Sequence, residues 1–181
     1  MPRTRCYIPT RMRDLPILLN EMVAAGVIET YAVSGAVAQM RYTEAVVTMD
    51  IDVLVGLPGE GKLILLTPVY EFCLKRGFHP EGDAVRVGDW PLQFIPAFSP
   101  LTEEAMREAE VGDLAGIPLR VVRADYLAAI AVSVGRAKDY TRVLGLLEAQ
   151  AVSPAQVEAI CERHGLVGQW QRFRERFLDD R

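Results

Sequence analysis

Two aspartates alternate in "TMDIDVLV" (residues 48–55), where a polar segment enters an apolar run. In a strand, residues two apart share a face, so Asp50 and Asp52 would project together with Cα atoms about 6–7 Å apart. Aspartate is disfavoured in strands and side-by-side carboxylates repel, so such a pair needs an offsetting charge. A divalent cation is the usual one. Mg²⁺ takes oxygen ligands, keeps several waters and completes its shell with carboxylates and substrate phosphates. The bland alternative has Asp50 capping the strand start and Asp52 paired with a lysine or arginine. The spacing alone leaves both open.

A second phosphate signature follows at once. Gly56 to Lys62, "GLPGEGK", matches the G-x-x-x-x-G-K of a nucleotide-binding loop. Leu63 takes the place of the Ser/Thr that would ligate Mg²⁺, however. The next helix signal, Thr67-Pro68, comes several residues too late to start at the lysine. We read this stretch as a turn. No Ser-His-Asp set can be assembled, and Cys161 with His164 at i, i+3 lacks a third group to orient the histidine.

The elements that must position the aspartates are legible on both sides. Residues 13–26 carry apolar positions at helical spacing and stop at Gly26, a natural C′ residue. "VIETYAVSG" is a short β-rich run ending at Gly35, "AVAQMRY" a short helix and "IDVLV" a buried strand. A helix opens at Thr67-Pro68 and ends at Gly77, and "AVRV-GD-WPLQFI" is a hairpin around Gly88-Asp89. The spacing predicts an acidic helix over "LTEEAMREAEV" and a last strand over "IPLRVV". Helices then follow over 124–134, 136–150, 154–164 and 169–178. The class is α+β: a core over 1–122 and a helical extension over 123–181 packed on it.

Composition narrows the field. With half of its 181 residues hydrophobic and a quarter charged, the chain has the make-up of a globular protein with one sizeable core. A net charge of −4 excludes a globally basic nucleic-acid binder but not a local basic patch. The three cysteines, Cys6, Cys73 and Cys161, are isolated, as expected of thiols in a reducing compartment. No run approaches the roughly 20 apolar residues of a membrane span, and the basic amino terminus lacks a cleavable apolar core. The expectation is a cytoplasmic protein with no membrane partner.

The order of a strand, Ser34-Gly35 at a helix start and then D-x-D on the next strand resembles the nucleotidyltransferase superfamily. "WPLQFIPA", "IPLRVV" and "GRAKDYTRVLGLL" resemble its AbiEii abortive-infection toxin-like branch. The resemblance implies a mixed sheet flanked by helices with a C-terminal helical extension. It implies Mg²⁺- or Mn²⁺-dependent transfer of a nucleotide from an NTP to a hydroxyl on RNA, a protein side chain or a small molecule. A cognate antitoxin is an implied partner.

Carried over residue by residue, the resemblance makes Ser34 and Gly35 the triphosphate-holding turn and Asp50 and Asp52 the metal ligands. Lys138 and Arg136 become nucleotide-binding cations, and Asp139 a helper in proton transfer. A rival account of Asp139 is ordinary helix pairing with Arg136 and Arg142, each three residues away. Three departures stand out. Ser34 fills a place where the family favours glycine, and Val46 and Val47 stand where it often has an arginine. Gln93 occupies the third metal position, usually a carboxylate. An amide oxygen can ligate a metal but carries no charge, so the alternative is a non-catalytic relative that binds nucleotide, RNA or a partner protein. Trp90, Phe94 and Phe98 are candidates for stacking a base, though hairpin aromatics more often belong to the core. Arg120, Arg123, Arg136, Lys138 and Arg142 would steer an anion only if they share a cleft with Asp50.

Overall fold

The apolar runs pair into one seven-stranded mixed sheet in the computed structural model, which describes residues 13–44, 48–59 and 66–179. Chain order is α1 (Asp14–Ala24), β1 (Thr30–Val33), α2 (Gly35–Gln39), β2 (Ile51–Gly56), α3 (Thr67–Lys75), β3 (Pro80–Glu81), β4 (Ala84–Val87) and β5 (Trp90–Pro96). Then come α4 (Pro100–Arg107), β6 (Glu110–Leu114), β7 (Ile117–Val121), α5 (Ala124–Val134), α6 (Ala137–Glu148), α7 (Pro154–Arg163) and α8 (Val167–Phe177).

The strands lie side by side as β3-β4-β5-β2-β1-β7-β6. Central β2 runs antiparallel to β1 and parallel to β5. Its Ile51, Val53, Leu54 and Val55 are all buried, so both faces of the sheet are covered there and only Asp52 interrupts the apolar run. Helices α2 and α4 pack on β2, while α1 packs on β1 and β7.

Two features differ from the sequence reading. The acidic helix ends at Arg107, and Glu110 and Val111 instead open β6, which pairs with β7 as a hairpin. Every residue of β6 is at least partly exposed, so no apolar alternation marked it. Its two-residue turn, Ala115-Gly116, needs positive φ at both positions (56° and 84°), yet Ala115 replaces the usual Asn or Asp signal. The Asp113 carboxylate accepts the Gly116 N–H at 3.0 Å and steadies the turn. The G-x-x-x-x-G-K match runs beyond Gly59 into residues outside those described.

The helical third is organised by α5, which packs against α2, α4, α6, α7 and α8. Its Leu127, Ala128, Ala131 and Val132 are buried, and Gly135 in the left-handed region (φ 71°) ends it. Tyr140 of α6 meets Phe173 and Phe177 of α8 at ring-centroid distances of 5.6 and 5.5 Å, and Trp170 stacks on Phe173. Cys73 and Cys161 are buried, and burial pushes both thiols up to about 11. No helix of the described residues is long and apolar enough to cross a membrane.

Glu104 ties α4 to this third. Its carboxylate accepts from Tyr126 Oη of α5 at 2.7 Å, from Arg163 Nη2 of α7 at 3.0 Å, and bonds to His164 Nε2. The Tyr126 hydroxyl first, then Arg163 and His164, hold its carboxyl down at about 2, well below the ordinary 4.5. A depressed carboxyl stabilises the fold above its unfolded value and loses that contribution as pH falls toward its folded value. Glu104→Gln should therefore unfold at lower denaturant concentration than wild type at pH 6, with the gap shrinking between pH 4.5 and pH 2. Urea titrations at stepped pH give the test; a gap independent of pH would contradict the assignment.

Candidate functional site

The site starts at the end of β1. Ser34 N–H donates to the Asp52 carbonyl at 2.8 Å, which sets the first residues of α2 against β2. Ser34 is in extended backbone (φ −127°, ψ −161°), so a non-glycine residue sits there without strain. The glycine requirement falls one residue later. Gly35 has φ +62°, and a Cβ built on it would collide with the Asp52 carboxylate. Absence of a side chain lets the carboxylate lie directly across the turn. Asp50 stands just before β2, where the Thr48 hydroxyl reaches its carbonyl oxygen (2.9 Å) and its Oδ1 (3.2 Å).

Helix α6 faces this pair across a cleft of about 1000 Å³. Lys138, Thr141 and Arg142 line it together with Asp50 and Asp52. The Asp139 side chain is 1% exposed, and Arg136 Nε donates to its Oδ2 at 2.7 Å while Arg142 Nη1 lies 3.4 Å from its Oδ1. The Arg136 backbone N–H also donates to Oδ2, at 3.2 Å, which closes the amino end of α6. Both ion pairs of the rival account thus form, and they fix Arg142 at the cleft. Arg142 Nε is buried and, among the described residues, has no hydrogen-bond partner. A buried N–H left without a partner costs about 1–3 kcal/mol.

Burial is the largest influence pushing the Asp52 carboxyl above its ordinary range, and the charge of Asp50 adds to it. Arg142, Lys138 and Arg136 oppose that rise. Arg136 is itself held more firmly protonated, chiefly by its bond to Asp139 and partly by Asp52 and Asp50. Two hard oxygen donors, partly desolvated and mutually repelling, are suited to a divalent cation, which would relieve both costs. Among the described residues no group of three His, Cys, Asp or Glu side chains gathers in a metal-binding arrangement. Any cation would complete its shell with substrate oxygens and water.

Gln93 is registered directly opposite Asp52 in the parallel β2–β5 pair, and partners in register share a face of the sheet. The structure thus brings together Ser34, Gly35, Asp50, Asp52, Gln93 and Lys138, with Arg136 within electrostatic reach. It leaves others apart. Arg120 donates to the carbonyls of Tyr31 and Met106, and Arg123 pairs with Asp125 at 2.6 Å. The Asp83 carbonyl accepts the Tyr70 hydroxyl in the β3–β4 turn. Phe94 is core, set edge-on to Tyr70, whereas Phe98 is 70% exposed. Sequence reading missed Gln39 and Thr141. The signal for α6 was available: Lys138, Arg142 and Gly145 repeat at helical spacing along the face that lines the cleft.

No family profile and no curated protein matches the chain. Solved structures do resemble it. An antigenic nucleotidyltransferase-like protein from Paracoccidioides brasiliensis superposes with a TM-score of 0.61 at 10% identity, over 94% of this chain and 90% of that one. The antibiotic-resistance factor ANT(2'')-Ia superposes with a TM-score of 0.51 at 18% identity, over 91% of this chain and 97% of that one. The fold is nucleotidyltransferase-like.

Gly35 offers a clean test of the turn. Gly35→Ala should cost about 1–2 kcal/mol from the left-handed backbone alone. Collision with Asp52 adds to that. Gly26→Ala is the control, since Gly26 has a similar φ of +69° but open space where its Cβ would go. Chemical denaturation of both variants should show Gly35→Ala clearly the less stable; equal losses would mean Asp52 does not lie against the turn.

Proposed function

We propose that this protein transfers a nucleotide from a nucleoside triphosphate to a hydroxyl acceptor in the cleft between β2 and α6. The observation that carries the reading is the meeting, on a nucleotidyltransferase-like fold, of Asp50 and Asp52 with Lys138 and Arg142 across one cleft. Asp50 and Asp52 hold the divalent cation. When bound, Mg²⁺ or Mn²⁺ neutralises triphosphate charge and polarises the phosphate under attack. Lys138 and Arg142, which line the opposite wall, bind the triphosphate oxygens. Asp139 acts as a positioning residue, holding Arg142 and Arg136 in place. The Ser34-Gly35 turn lets the phosphates approach the backbone closely.

In the transfer, the acceptor oxygen bonds to the α-phosphorus and the bond from that phosphorus to the α,β-bridging oxygen breaks. Pyrophosphate leaves with that bonding pair, and the hydroxyl proton passes to solvent. Lys138 and Arg142 stabilise the charge that builds on the leaving pyrophosphate. The toxin-like branch is supported by "GRAKDYTRVLGLL", whose Lys138 and Asp139 stand at the start of α6, and a toxin role would bring a cognate antitoxin.

Gln93 favours a second reading. Standing in register with Asp52, it puts a neutral amide where a third carboxylate would help hold metal or take the proton. Binding without turnover follows if two carboxylates are too few.

Incubation with each α-labelled NTP, Mg²⁺ and a mixture of RNA, protein and small-molecule acceptors decides between them. Transfer by wild type should fall at least about 100-fold in Asp52→Ala, the scale on which removing one preorganised charge-stabilising group acts. Arg142→Gln should weaken NTP binding by about tenfold, the worth of one charge-assisted hydrogen bond. Absence of label, with Mg²⁺-dependent NTP binding still lost in Asp52→Ala, would establish the binding-only relative.

A further inference from the structure

Helix α6 has a second exposed side. Lys138 and Arg142 face the cleft, whereas Tyr140, midway between them, is turned about 200° away at roughly 100° per residue. There Tyr140 lines a hollow of about 400 Å³ with Arg172, Glu175 and Arg176 of α8. Its ring is engaged in packing against Phe173 and Phe177, but its hydroxyl makes no hydrogen bond among the described residues. The arginines of α8 are treated unequally. Arg174 has Glu158 and Asp179 at 3.4 and 3.9 Å, while Arg172 and Arg176 are exposed and, among the described residues, pair with no acid. Like charges at i, i+4 oppose helix formation, and Glu175 can match only one of the two. Two guanidinium groups and a tyrosine hydroxyl around one hollow are a donor set for phosphate oxygens.

We infer that this hollow seats a backbone phosphate of the acceptor, and that the acceptor is a single-stranded nucleic acid. The inference rests on the transfer reading above. Arg136 connects the two places. It shares a helix face with Tyr140, about 6 Å further along the axis, and lies close enough to Asp50 and Asp52 for their charges to act on it. A small acceptor held in the cleft would not reach around α6 to the hollow. A chain carrying a phosphate at every unit passes Lys138, Arg136 and the hollow in turn. With the Tyr140 ring packed away, the hollow holds backbone and offers no face for a base, so it is blind to sequence. On a chain of net charge −4, unpaired arginines beside the cleft are a local exception that steers an anionic strand to this side.

Fluorescence anisotropy of the full chain with 5′-labelled single strands of about 12 nucleotides, as RNA and as DNA, tests this. Binding of the non-reacting α,β-methylene analogue of ATP with Mg²⁺, followed by titration calorimetry, is the control. The double variant Arg172→Gln, Arg176→Gln should bind the strand at least about tenfold more weakly. Its slope of log affinity against log salt should fall by about 0.7, the amount for one phosphate contact on a single strand. Tyr140→Phe, which keeps the ring packing, should weaken the strand about threefold. Analogue binding should be unchanged in all of these variants. Unchanged strand affinity and salt slope in the double variant would overturn the inference. Equal binding of a polyglutamate chain by wild type would overturn it too, in favour of an acidic protein partner. So would a parallel loss of the analogue in the double variant, which would make the two arginines supports of the fold. If wild type binds the analogue but no strand, the inference fails and the transfer reading stands; if it binds neither, both fail.

Discussion

One main-chain hydrogen bond and one missing side chain set the geometry of the cleft. Ser34 N–H to the Asp52 carbonyl joins the end of β1 to the start of β2, and Gly35 gives the Asp52 carboxylate room to lie across the turn. The antiparallel register of β1 and β2 places Val33 opposite Val53, so Ser34 falls beside Asp52. A one-residue slip would turn Asp52 to the other face and Val53 into the cleft. Such a slip is resisted by the apolar side chains around it, since Ile51, Val53 and Val55 are each buried to 1% exposure or less. Apolar packing thus holds a carboxylate where its own solvation opposes it.

The opposing wall works on a related plan. Asp139 is almost fully buried, a position a carboxylate occupies only when its charge is matched, and Arg136 and Arg142 match it. Arg142 is thereby held half-satisfied, with one nitrogen engaged and Nε left without a partner. Helix α6 can present that arginine because it is clamped from behind, by α5 and by Tyr140 packed on Phe173 and Phe177 of α8. The helical third therefore contributes to the cleft directly, not merely as cover for the sheet.

Local rules made much of this legible. Alternation gave β2, positive-φ glycines marked the ends of α1, α3 and α5, and i, i+3 spacing anticipated both Asp139 ion pairs. Strand β6 escaped because it is an exposed edge with an alanine in its turn. The place of glycine in the Ser34-Gly35 pair was misjudged for a similar reason. Sequence fixes that a turn is present but not which residue takes positive φ, and here the close approach of Asp52, distant in sequence, makes it Gly35. Gln39 escaped altogether: a glutamine in a five-residue helix has no signature until α6 is seen to close over it. Long-range packing decided each of these.

Charge balance connects the two walls. Asp50, Asp52 and Asp139 stand against Arg136, Lys138 and Arg142, so these groups together bring no net charge to the cleft. A bare triphosphate entering it would gain from Lys138 and Arg142 but meet Asp50 and Asp52 uncompensated. A divalent cation entering alone would meet the two aspartates but also the nearby guanidinium groups. Each ligand removes the repulsion that the other faces, so under the proposed function their affinities are coupled, and thermodynamic linkage makes the coupling equal in both directions. Gln93 enters this balance by what it lacks. Under the proposed function, a third carboxylate beside Asp52 would shift the cleft toward holding cation before nucleotide, and the neutral amide would leave the cation dependent on the triphosphate that accompanies it.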